Sequence, residues 1–277
     1  MSRFTLRTQL LAVGALAVFA CAAFATAAAA QKAPPDFSSN DVGWIAIGGD
    51  FAEIPGSGPA LMRNDPAHPY VVNGTGGQPS YRIADLTNPN LKPWAKERMR
   101  RDNDEVLAGK IGFTPRSSCM PAGVPGFFTY PVRPVYFLQT AKEVVLIYSG
   151  DEQVRHVYLD IAHSEQPKPS WYGESVGHYE GDTLVVDTIG LNDKTVLDNY
   201  RTPHSDKLHV VERYRMVDGG KAMEVAFRVE DPDAFNAPWS AIKRYRRVTE
   251  PMFEEVCAEN NRHLFDYHIP VANKPDF

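Results

Sequence analysis

Pro169-Ser-Trp-Tyr-Gly-Glu-Ser-Val-Gly-His-Tyr-Glu-Gly-Asp-Thr-Leu-Val-Val-Asp-Thr188 is the stretch whose reading decides the fold. Its middle, Glu180-Gly-Asp182, is a hairpin turn signal, and the runs on either side read as strands. Working outward, the period-two pattern extends from Arg133 to about Arg247. Strands are predicted over 135–139, 143–148, 154–160, 175–180, 183–189, 208–217, 223–229 and 241–248. Ser149-Gly-Asp151 and Asp218-Gly-Gly220 separate further neighbours at hairpin distance. No helical pattern intervenes, so the prediction is a mainly β protein, an antiparallel meander. About eight such strands curl into a barrel or a two-layer sandwich, because closure removes exposed edges. The segment Asn192–Ser205 breaks the alternation and is expected to lie as a long loop over one end.

Upstream the composition changes. Residues 31–90 are dense in Gly, Pro, Asn and Asp, with short apolar pieces such as Trp44-Ile-Ala-Ile47. They read as irregular structure wrapping a core built elsewhere. Residues 91–107 form the one convincing helix. Pro93 suits its first turn, and Trp94, Met99 and Val106-Leu107 make the expected apolar stripe. Residues 31–132 are thus expected to pack as a segment on a β domain over 133–277. A short helix around Phe253–Asn260 is expected to bring Cys257 back to the core.

Residues 1–30 read as a removable signal peptide. Arg3 and Arg7 head an apolar run that ends at Ala28-Ala-Ala30, the small residues a signal peptidase accepts. Phe19 before Ala20-Cys21 makes a poor lipoprotein box, so lipidation at Cys21 is not expected. A periplasmic or secreted protein with no stable membrane span after cleavage follows. Without the leader, 27 basic residues face 34 acidic ones, a net charge of −7. Apart from Arg98-Met-Arg-Arg101 no basic cluster stands out, which argues against nucleic-acid partners. In an oxidising compartment Cys119 and Cys257 are expected to form a disulfide, the alternative being two buried thiols.

Several polar residues fall on faces that ought to be buried. In Leu208-His-Val-Val-Glu-Arg-Tyr-Arg-Met216, Glu212 shares a face with Leu208, Val210, Tyr214 and Met216. Desolvation raises a carboxyl pKa, which suits a general acid or base near neutrality. The plainer alternative is an ion pair or hydrogen bond to an Arg or Tyr on another strand. Asp187 sits among Val185 and Ile189, and with Glu212 it could form an inward acid/base pair. Asp160 and His163, in His156-Val-Tyr-Leu-Asp-Ile-Ala-His163, and His204 near the end of the long loop complete the catalytic candidates. The His–Asp–His spacing matches no standard zinc pattern, so no metal is expected. A nucleophile elbow, a phosphate loop and Cys-x-x-Cys are all absent, so no bound cofactor is expected.

The chain resembles a family of exported bacterial proteins for which no reaction is established. The motifs that carry the resemblance run through Asn90-Leu-Lys-Pro-Trp-Ala95, Cys119-Met-Pro, Pro169-Ser-Trp, Glu180-Gly-Asp-Thr-Leu-Val-Val-Asp-Thr188, Pro203-His-Ser205, Val211-Glu-Arg-Tyr214 and Pro238-Trp239. They span nearly the whole mature chain, which implies one full-length unit and transfers no functional residue. His156 departs from the pattern, which carries a basic residue there.

Two functions follow as expectations. One is a cofactor-free hydrolase, lyase or isomerase acting on a small organic molecule in a barrel cavity. The other is a non-catalytic module that binds a hydrophobic or aromatic ligand.

Overall fold

Alternation at period two produces nine strands that close on themselves. The computed structural model describes residues 33–38, 43–70, 82–110, 112, 114–129, 133–150, 153–249, 251–252 and 254–257. The leader and half of the expected Phe253–Asn260 helix lie outside the described residues, and the described residues 254–256 are not helical. Residues 32–277 form one unit.

The strands are β1 (Gly43–Ala46), β2 (Ala52–Glu53), β3 (Val135–Gln139), β4 (Glu143–Tyr148), β5 (Gln153–Leu159), β6 (Glu174–Glu180), β7 (Thr183–Ile189), β8 (His209–Val217), β9 (Ala222–Glu230) and β10 (Trp239–Val248). Neighbours run β1-β3-β4-β5-β6-β7-β8-β9-β10, and β1 pairs with β10 to close the barrel. β2 adds to the free part of the same β10 edge. Each predicted strand from 135 onward is present, its ends shifted by two residues at most. The Trp44 piece, expected to be irregular, is instead a strand of the barrel wall.

One pairing departs from the meander. A closed ring of nine strands cannot alternate direction all the way round, so one neighbouring pair must run parallel. That pair is β5 and β6, with Tyr158 opposite Val176. Parallel neighbours need a connection that returns along the barrel, and residues 160–173 supply it. Gly177 faces β5 and β7 closely there. A Cβ on it would lie 2.9 Å from both Val157 Cγ1 and the Val185 carbonyl.

Large side chains fill much of the barrel's interior. Phe37, wholly buried, enters at one end and meets Phe137 and Tyr214. The Gln139 amide clasps its backbone, accepting from Phe37 N–H at 2.6 Å and donating to the Pro35 carbonyl at 2.9 Å. From the loop before β3, Phe127 and Phe128 pack among Tyr148, Tyr214 and Tyr245. Cys119 is disulfide-bonded to Cys257, as expected.

The helix α1 (Pro93–Leu107) begins at its proline and buries Ala95, Met99, Asn103 and Val106. Trp94 and Leu107, expected in that stripe, are exposed. Asn103 takes their place by pairing with both the N–H and the carbonyl of Ala84, at 3.0 and 2.9 Å.

Candidate functional site

Three constellations account for the polar residues singled out in the sequence. The first is inside the barrel. Glu212 faces inward as expected, but it meets Arg155 from β5 in a bidentate pair, and both are fully buried. The guanidinium also donates to Ser175 Oγ and, at 2.8 Å, to Thr188 Oγ1. Tyr214 donates to Glu212 Oε1 at 2.8 Å. Burial works against the Arg155 charge, but the Glu212 carboxylate outweighs it and holds the guanidinium protonated. Burial and the neighbouring carboxylate push the Tyr214 hydroxyl well up. A carboxylate sealed in this way reaches no solute, so Glu212 is a structural ion-pair residue and the catalytic expectation for it is corrected.

The second constellation lies on the outer wall. Asp187 points outward, not inward, with its side chain 40% exposed, so it forms no acid/base pair with Glu212. Its Oδ1 lies 3.0 Å from Nε2 of His163 and 3.0 Å from Nε2 of His209. His163 turns its Nδ1 to Glu174 Oε1 at 2.9 Å, and Glu174 also accepts from Ser164 N–H at 2.7 Å. His163 and Ser164 belong to the β5–β6 return connection, so this cluster staples that connection to the wall. Asp160 starts the same connection with φ 56°, exposed, its N–H bonded to the Gly177 carbonyl. It reaches neither histidine-bearing contact, and the expectation of a role for it in chemistry loses its geometric basis.

The sequence reading named His163 and Asp187 separately, did not pair them, and missed His209 and Glu174. The signal was present: Asp187 pairs with Val211, which makes His209 its diagonal neighbour on the outer face.

The Asp187 contact raises the His209 pKa, with burial opposing, and hydrogen bonds from both histidines hold Asp187 low. A raised histidine adds stability below its ordinary value of 6.5 and loses it as pH rises through the folded value. A lowered carboxylate adds stability above 3.8 and loses it as pH falls. The pair therefore stabilises most between those two values. His209→Gln is expected to lower stability at pH 5 and to matter little at pH 9. Both groups are more than a third exposed, so the effect is about 0.5 kcal/mol or less after screening. Urea melts at the two pH values check it, and an equal loss at both would count against the ion pair.

His204 is buried in the long loop, not presented by it. Its Nδ1 donates to the Ser205 carbonyl at 2.9 Å, which leaves Nε2 to accept from Thr195 Oγ1 at 2.7 Å. Burial lowers its pKa and keeps the ring neutral. It holds the loop together.

The third constellation is a pocket at the barrel's rim, where β10 begins, enclosing about 440 Å³ including the space open to solvent. Phe51, Leu61 and Met62 come from the N-terminal wrap, Leu91 from just before α1, and Phe235 and Trp239 from the approach to β10. Phe51 meets Trp239 edge-on at 5.9 Å, and Phe235 meets Trp239 at 6.1 Å. The long loop supplies Asp198, Tyr200 and Thr202, and Asp50 stands beside them. Arg201 at the loop tip has φ 60°, and Asp198 holds this strained turn by accepting from Tyr200 N–H, Thr202 N–H and the Thr202 hydroxyl. Burial raises the Asp198 pKa, those hydrogen bonds oppose it, and the Asp50 charge adds to the rise. Tyr200 is pushed up to about 12, chiefly by burial.

Among the described residues no group of three or more His, Cys, Asp or Glu is arranged to hold a metal ion. No helix among them is long and apolar enough to cross a membrane. No protein-family model, curated protein or solved structure matches the chain.

Proposed function

We propose that the protein is an exported, non-catalytic module that binds a small apolar or aromatic molecule in the rim pocket. The observation that carries this reading is the aromatic wall of Phe51, Phe235 and Trp239 around the pocket. Small-molecule sites are mostly apolar with a few placed polar groups, and this lining has that make-up. The one acid the sequence put deepest, Glu212, is absent from its lining.

Ligand binding to the folded state raises the melting temperature, by about 2.7 kcal/mol of stability at a hundredfold excess over Kd. A thermal-shift screen of benzene-sized to naphthalene-sized compounds is expected to find saturable stabilisers. Ala60→Trp, which fills the pocket, should abolish those shifts and leave the unliganded melting temperature within a few degrees. Shifts that survive Ala60→Trp would put the ligand elsewhere.

A second reading keeps the protein an enzyme, a cofactor-free hydrolase, lyase or isomerase. It draws on the carboxylate flanked by two imidazoles on the outer wall, Asp187 with His163 and His209. Product formation during the same screen, lost in Asp187→Asn, would favour it over the binding module.

A further inference from the structure

We propose that the rim pocket selects an organic cation, a protonated amine carried on an aromatic or alkyl body. This rests on the binding reading above. The argument is one of charge and of donors. Among the described residues, the charged side chains lining the pocket are two carboxylates, Asp50 and Asp198. They stand among the rings of Phe51, Tyr200, Phe235 and Trp239. Lys243 and Arg82 already stand over Phe51 and Tyr200 at 6.0 and 5.8 Å, and Phe235 and Trp239 offer electron-rich faces to a cation.

The pocket's amide and threonine donors are already in use. Asn88 Nδ2 donates to the Ala60 and Leu61 carbonyls, Asn90 Nδ2 to the Ala237 carbonyl, and the Thr202 hydroxyl to Asp198. The Asp198 carboxylate and the rings are what a guest bearing N–H groups would meet there.

Two cations, Arg82 and Lys243, contact pocket residues without lining the pocket themselves. Arg82 Nε lies 2.8 Å from Asp50 Oδ1 as an ion pair that is not aligned for a hydrogen bond. Lys243 is spent on the Gly48 and Asp50 carbonyls at 2.9 and 3.0 Å. Asp198 has no such partner: hydroxyl and backbone donors alone hold it. Burying a carboxylate on neutral donors is costly, and an ammonium group in the pocket relieves that cost.

The test compares three probes of one shape on the full mature chain: phenethylammonium, propylbenzene and 3-phenylpropionate. Calorimetric titration at pH 7 is expected to rank them cation, neutral, anion, with at least a tenfold gap between the first two. In Asp198→Asn that gap should shrink to less than threefold. If this variant does not fold, Asp50→Asn serves for the same comparison. Propylbenzene binding as tightly as the cation would overturn the charge preference and leave the binding module standing. Failure of all three, together with an empty thermal-shift screen, would remove the binding module itself.

Discussion

Glu212→Gln is expected to lower the melting temperature by on the order of 10 °C, because it leaves the Arg155 guanidinium buried without its counter-charge. The substitution keeps the shape of the side chain and removes only the charge. Arg155 has no route to water: it and Glu212 are both fully buried at the centre of the barrel. Removing one member of such a pair costs about 3–5 kcal/mol, whereas replacing both with apolar groups of similar volume is often neutral or stabilising. The double variant Arg155→Met/Glu212→Leu should therefore recover most of the loss, although Tyr214, Ser175 and Thr188 each lose a partner. Chemical denaturation of the three proteins settles it. A single variant as stable as the parent would show that the charge is not balanced where the geometry puts it.

The second large effect belongs to the disulfide. Cys119 and Cys257 are 138 residues apart. Closing a loop of that length removes unfolded-state entropy worth about 5 kcal/mol in the chain-entropy model, and measured losses run from about 2 to 5 kcal/mol. Cys119 lies in the segment that carries Phe127 and Phe128 into the interior. The paired variant Cys119→Ser/Cys257→Ser is expected to melt well below the oxidised parent, and dithiothreitol should bring the parent down to the same point. A reductant without effect on the parent would mean that the bridge contributes nothing to stability.

The sequence showed the strands from Val135 onward because each alternates strictly and a glycine turn separates most neighbours. β1 stayed hidden because Gly43–Ala46 is four residues long, within a tract rich in Gly and Pro. It earns its place through distant pairing with β10, which no local pattern records. The parallel pair was equally silent, since parity belongs to the closed ring and not to any segment.

Glu212 was correctly turned inward by alternation. Its role depended on Arg155, 57 residues away. Alternation also put Arg155 on the face of Val157 and Leu159, a signal overshadowed by His156 and Asp160, which face outward. Asp187 was read as inward because both faces of β7 are rich in apolar residues. Its strand is partly covered outside by the return connection, and that cover looks like core in a hydropathy pattern. The rim pocket could not be read at all. It is assembled from the wrap, the residues before α1, the long loop and the start of β10, which meet only in three dimensions.

The junction of β1 with β10 has a consequence for how the chain reaches this state. Gly43 lies opposite Val248, so the ring has a seam whose two lips sit at opposite ends of the sequence. Zipping it waits for β10, about two hundred residues after β1, and the loop-closure entropy must be met before the contacts reward it. A polypeptide emerging from the ribosome cannot complete the barrel early. One passed across a membrane as an extended thread would forfeit nothing by the delay.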